Sequence, residues 1–335
     1  MSSSRIFSWA SLLLVLSIPS AFAGTALSLG SASGYNVFVL GAYGTSGNTD
    51  IEGAAAVGGN FTSTGSLSFN DMPGSVTVST PSLVVGGNLS LDGGQMYSPG
   101  NALVVGNVTS SSNFTFQHNL TYGTLGSDIL VDGTKSNGAS LPFSFSTVGT
   151  SLVQLSGTLN GLQANGTVAV SGPNYTLNAT GCTLCVFDLT VGNYSNGAIN
   201  INAPTGATVV INVPGATDSF TNSSINYTGG ATASDTLFNF DAATTLMTSG
   251  FTMYGSVLAP DAAFTGTSGS LNGELIAASV SGQSAEFESG DIFSGNLGTA
   301  PGVPEPSTWF LMGTALLACL ALRTKRTATS NTTGA

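Results

Sequence analysis

The chain has 335 residues, with 5 Lys+Arg against 16 Asp+Glu and a formal net charge of −11 at pH 7. All 16 acids lie between Asp50 and Glu305, and Lys135 is the only lysine or arginine in that span. Such a surface repels phosphate backbones, which excludes nucleic-acid binding, but it accepts neutral glycans, divalent cations or basic partners, or serves solubility alone.

The N-terminus reads as an export signal. Arg5 gives a positive start, 9–18 is apolar, and Ala21-Phe22-Ala23 is a small-x-small cleavage site. Cleavage is expected after Ala23, leaving 1–23 as a signal peptide and Gly24 as the first mature residue. No cysteine stands at the cut, which argues against a lipoprotein signal. An uncleaved N-terminal anchor is the alternative.

From 24 to 300 the chain is one ectodomain. It holds most of the 45 glycines, and only 6% of the whole chain is charged. Runs of β-formers sit between Gly, Asn and Ser clusters: Val37-Phe38-Val39-Leu40, Leu83-Val84-Val85, Leu103-Val104-Val105, Val168-Ala169-Val170, Thr208-Val209-Val210-Ile211 and Val257-Leu258. No amphipathic helix pattern stands out, so an all-β fold is predicted. The runs repeat imperfectly. Val57-Gly58-Gly59-Asn60-Phe61 recurs as Val85-Gly86-Gly87-Asn88-Leu89, with shorter relatives at Val105-Gly106-Asn107-Val108 and Val191-Gly192-Asn193-Tyr194. Periods of about twenty to thirty residues predict a solenoid with one coil per repeat. Glycine permits left-handed corners and asparagine tolerates them. The predicted fold is a right-handed parallel β-helix; a β-sandwich is the alternative.

The stretches Asn36 to Tyr43, Asp50-Ile51-Glu52-Gly53 and Ala56 to Asn60 resemble the opening of the choice-of-anchor A family. So do the distal blocks Gly255 to Ala262 and Leu271 to Ser279. The resemblance covers roughly 34–294 and is thin between Ser110 and Asp235. It implies an ice-binding-like β-solenoid with an adhesive role and no established catalytic residues.

The chemistry on offer is sparse. His118 is the only histidine, no Ser–His–Asp partnership can be specified, and there is no GxSxG elbow. No enzyme is expected. Cys182 and Cys185 form a CxxC in an exported region, without the further ligands that zinc needs, so a small disulfide at a bend is expected, against two unpaired thiols. Asp50/Glu52 and Glu286/Glu288 are i,i+2 pairs that would share a strand face. They could serve a glycosidase or solvate an edge. With Asp291 they could also suit calcium, for which no ligands are assigned; otherwise no cofactor is expected.

The C-terminal segment 301–335 carries Val303, Pro304, Glu305 and Pro306, an apolar run over 309–322, and the basic residues Arg323, Lys325 and Arg326. Proline cannot continue a helix and marks its outer edge, while the cations resist crossing a bilayer. As a transmembrane helix the run spans about 21 Å, short of a hydrocarbon core of roughly 30 Å. This arrangement resembles the PEP-CTERM sorting signal of Gram-negative bacteria. The resemblance implies recognition by an exosortase-type membrane enzyme, removal of the tail, and export to the envelope, outer surface or extracellular matrix. A plain membrane anchor is the alternative. The reading as a whole is an exported adhesin with exopolysaccharide or a cell-surface glycan as partner. Its rivals are a carbohydrate-active β-helix enzyme and a purely structural matrix component.

Overall fold

The computed structural model describes residues 26–70, 81–283 and 286–299. The expected signal peptide, the sorting residues Val303 to Pro306, the apolar run and the basic cluster lie outside them. The chain divides into the unit Leu27–Gly298 and a second unit, of which Ala26 and Thr299 are described and form an isolated antiparallel bridge.

Leu27–Gly298 is a three-sided β-solenoid in which short strands stack in parallel. A 17-stranded sheet wraps two sides, and an 8-stranded and a 4-stranded sheet share the third. One inward row shows the construction. Phe187, Ile211, Phe238, Val257, Leu275, Val37, Ala55, Leu83, Ala102 and Leu120 are consecutive register partners. All are buried in one apolar column. Rings stack along it, as Tyr43 on Phe61 at 4.2 Å and Tyr194 on Phe220 at 5.0 Å.

The stacking order is not the chain order. The last long strand, Leu275–Gln283, lies on the first, Val37–Val39, so the N-terminal coil sits in the middle of the column. From this seam the chain builds outward to Lys135–Asn137 at one end. It then resumes at Leu184–Asp188 at the other end and builds back. Asn36 staples the seam. Fully buried, it donates from Nδ2 to the carbonyls of Gly273 at 2.6 Å and Glu288 at 2.9 Å, and its Oδ1 accepts from Gly53 N–H.

One side of the solenoid is covered by a helix, α1 (Phe145–Asn160), which the sequence did not announce. Phe145, Gly149, Leu152, Leu155, Ser156 and Leu159 are its buried face. They form a second core with Phe38, Val210, Leu237, Leu258 and Ile276, which point outward from the strands. Ser144 caps the helix by accepting from Thr147 N–H at 3.3 Å. The helix is rich in Ser, Thr and Gly and poor in strong helix formers, so its stability comes from this packing rather than from propensity.

Every apolar run named from the sequence is a strand. All but Val168-Ala169-Val170 lie on the helix-side face, because only there are both surfaces of a strand buried. Val168-Ala169-Val170 belongs to Thr167–Ser171, which forms an antiparallel hairpin with Asn174–Asn178. The β-sandwich alternative is set aside by the parallel stacking.

Candidate adhesive face

The VGGN repeats mark the corner where the chain turns off the helix-side face. A Cβ on Gly58 would stand 2.2 Å from Leu40 O and 2.9 Å from the Phe145 ring, so only glycine lets the turn pass beneath α1. The asparagines that follow form a ladder. Asn60 Oδ1 accepts from Asn88 N–H and Asn88 Oδ1 from Asn107 N–H, both at 2.9 Å, across 28 and 19 residues of chain. Thr124 closes it by donating to Asn107 Oδ1. The unequal coil lengths explain the irregular period: rungs keep their register while the loops between them vary.

Beyond this corner lies the second face of the large sheet. Its inward residues are core, and its outward residues are mostly serine and threonine, with Met247 and Gly44 interrupting the main column. One outward column runs Ser219, Met247, Thr265, Ser281, Gly44, Thr62, Ser90, Thr109 in consecutive register. Beside it runs Ser195, Thr221, Ser249, Thr267. Strands stacked in parallel stand about 4.7–4.9 Å apart, so the hydroxyls repeat at that interval. Thr265 and Ser281 hydroxyls lie 3.1 Å apart. On the N-terminal rungs the face deepens into a groove of about 480 Å³ lined by Thr62, Thr64, Ser90, Asp92, Thr109 and Ser111. Such a surface can bind polyhydroxylated matter by many weak hydrogen bonds.

No regular Thr-x-Thr ladder is visible in the sequence, and the column keeps that irregularity: threonine holds three of its eight places, Thr265, Thr62 and Thr109. Thr62 and Thr265 share that column only across the seam, through Gly44 and Ser281, where chain order and spatial order part.

The other candidates fall as follows. Cys182 and Cys185 are joined by a disulfide with Cα atoms 5.4 Å apart, at the bend entering Leu184–Asp188. His118 Nδ1 lies 2.6 Å from Asn101 Oδ1 on a short strand-to-strand link. The two acidic pairs do meet: Glu286 is in register with Asp50, on the third face. Glu52 Oε2 is already engaged by Ser289 N–H at 2.8 Å. Burial, and then the charge of Glu288, raise the Asp291 carboxyl above its usual range. Among the described residues no group of three or more His, Cys, Asp or Glu is placed to hold a metal ion.

Residues 28–289 match the model of the family described as "Putative Ice-binding-like adhesive domain". The chain belongs to that family. Residues 302–326 match the PEP-CTERM protein-sorting motif, which implies processing by an exosortase, export and attachment at the cell surface. The ice-binding-like adhesive family is typically non-enzymatic. No curated protein matches the chain. Among solved structures, an ice-binding protein from an Antarctic biological consortium is 15% identical over 78% of this chain and 90% of its own, with a TM-score of 0.39. The Shewanella frigidimarina ice-binding protein is 12% identical over 79% and 98%, with a TM-score of 0.32. A glycosylated ice-binding protein from an Arctic yeast is 12% identical over 85% and 98%, with a TM-score of 0.30.

Proposed function

We propose that this adhesive domain holds an exopolysaccharide or a neighbouring cell's surface glycan on its hydroxyl face, without catalysing a reaction. The supporting observation is the register of hydroxyl columns carried across the seam, from Ser219 to Thr109. Single hydroxyl–glycan contacts are weak in water, but contacts repeated in register add through effective concentration. Display would come from the tail: Val303, Pro304, Glu305 and Pro306 as the sorting motif, with Arg323, Lys325 and Arg326 holding the end of the apolar run at the cytoplasmic side. The localisation proposed is the outer surface or extracellular matrix, after the signal peptide is cut at Ala23.

Thr62→Tyr combined with Thr265→Tyr breaks the columns at two exposed or half-exposed positions. Sedimentation with insoluble exopolysaccharide should lose most of the bound fraction while Tm stays unchanged. Gly44 is a gap in the central column, and a Cβ there meets nothing within 4 Å. Gly44→Thr should therefore raise binding. Unchanged binding by the double tyrosine variant would end this reading. Serine and threonine hydroxyls set at rung spacing also favour ice as a second ligand. Thermal hysteresis lost in the same variant, without glycan binding in the parent, would select it.

A further inference from the structure

The two ends of the solenoid are finished differently. At the Leu184–Asp188 end the chain closes its own edge. Asn165 and Gly166 N–H both donate to Val186 O at 3.1 Å. Asn165 Oδ1 accepts from Val186 N–H at 2.8 Å, and Asn165 Nδ2 donates to Leu184 O at 2.9 Å. One amide side chain thus takes the hydrogen bonds that another strand would make.

The opposite end has no such cover. Lys135–Asn137 pairs with Leu120–Leu125 and, among the described residues, with no other strand. Residues 132–138 are exposed. A strand edge of this kind offers free backbone donors and acceptors and is a template for pairing with another chain.

The residue heading that edge does not match its row. Lys135 is in register with Leu120, and through it with Ala102, Leu83, Ala55 and Val37, all inward-facing core positions. The last place in this apolar row holds the only lysine or arginine between Asp50 and Glu305. A strand added outside it would bury an ammonium group at the foot of a greasy column, which is costly without a matching anion.

We propose that Lys135 is a gatekeeper that keeps the open end of the solenoid from pairing with the same end of a second copy of this chain. The second copy is the partner because the edge chemistry is self-complementary. Head-to-tail stacking in this row has no free edge to meet, since Asn165 occupies the edge of Leu184–Asp188, the strand that ends the same row. What remains is an antiparallel pairing of two Lys135–Asn137 edges about a two-fold axis, which closes at a dimer.

The test is sedimentation velocity of the full chain in detergent over a range of concentrations. Lys135→Val should double the protein mass, increasingly so with concentration. Lys135→Arg, which keeps the charge, should sediment as the parent does. Lys135→Thr serves as a second neutral variant should the valine chain fail to fold. Asn165→Leu in the Lys135→Val background should extend the dimers into longer chains. Neutral variants that sediment like the parent at every concentration would overturn the proposal. Filaments from Lys135→Val alone would overturn its two-fold geometry.

Discussion

Glu274 and Asp218 are carboxyl groups that the fold withholds from water, at 0% and 1% exposure. Glu274 lies at the seam, in the outward row between Ser256 and Asn36, and its own N–H donates to Ser256 Oγ at 2.9 Å. Burial drives its carboxyl well above the ordinary range, partly offset by the Gly34 backbone amide. Asp218 points into the column against Gly192, where a Cβ would stand 1.6 Å from Oδ1. This contact explains the glycine of the Val191-Gly192-Asn193 repeat. Burial pushes Asp218 up to about 6. A carboxyl whose folded pKa exceeds its unfolded value holds its proton more tightly when folded. Stability is then complete below the unfolded value near 4, and is lost as pH rises through the folded value. The expected result is a Tm that falls from about pH 4 to about pH 6 through Asp218, with a further fall above the ordinary carboxylate range through Glu274. Glu274→Gln should leave Tm near pH 4 unchanged and raise it by several degrees near pH 8; differential scanning calorimetry across that range checks both. Neither acid was legible in the sequence. The i,i+2 carboxylates drew notice by spacing, whereas isolated acids declare their burial only in three dimensions.

At the scale of elements, legibility followed burial. Strands buried on both surfaces read as continuous apolar runs, so Val37–Val39 and Thr208–Asn212 were plain. Three-residue strands such as Phe61–Ser63 carry one alternation and no run, so they passed unseen. The helix was missed for a related reason. Its buried positions include Gly149 and Ser156, small because α1 lies close to the sheet: a Cβ on Gly149 would come 3.1 Å from Leu40. Ser156 does double work, donating to Asn239 Oδ1 at 2.6 Å while Asn239 Nδ2 returns a bond to Ser156 O at 2.9 Å. A helix held by contacts of this kind depends on its few large residues. Leu152 and Leu159 are 1% and 0% exposed, and Leu→Ala at either should cost about 2–5 kcal/mol. Ser144→Ala removes the cap and should cost about 0.5–2 kcal/mol. Urea titration followed by circular dichroism would measure all three. A loss at Leu152 no larger than that at Ser144 would mean that α1 is not integral to the fold.

The seam governs the molecule as a whole. Its contacts join residues 237 and 252 positions apart, Asn36 with Gly273 and Glu288, so the chain must close its longest loop to stack the last coil on the first. The two ends of Leu27–Gly298 already meet, with Leu27 N–H donating to Gly298 O at 2.9 Å. The two arms are connected at their far ends by 138–183, which carries α1 and the hairpin and opens with the exposed stretch around 138–142. A circular permutant with a short linker from 298 to 27 and new termini at 139 would make chain order follow stacking order from Leu184–Asp188 to Lys135–Asn137. Every native contact survives in it, so equilibrium stability and the hydroxyl columns should be retained. Closing the shorter seam loop should cost on the order of 1–2 kcal/mol less. Where the seam forms in the folding transition state, that difference speeds refolding about tenfold and leaves unfolding nearly unchanged. Stopped-flow fluorescence of parent and permutant would measure both rates. Equal refolding rates would place seam formation after the barrier, with the two arms assembling independently before the N-terminal coil joins them.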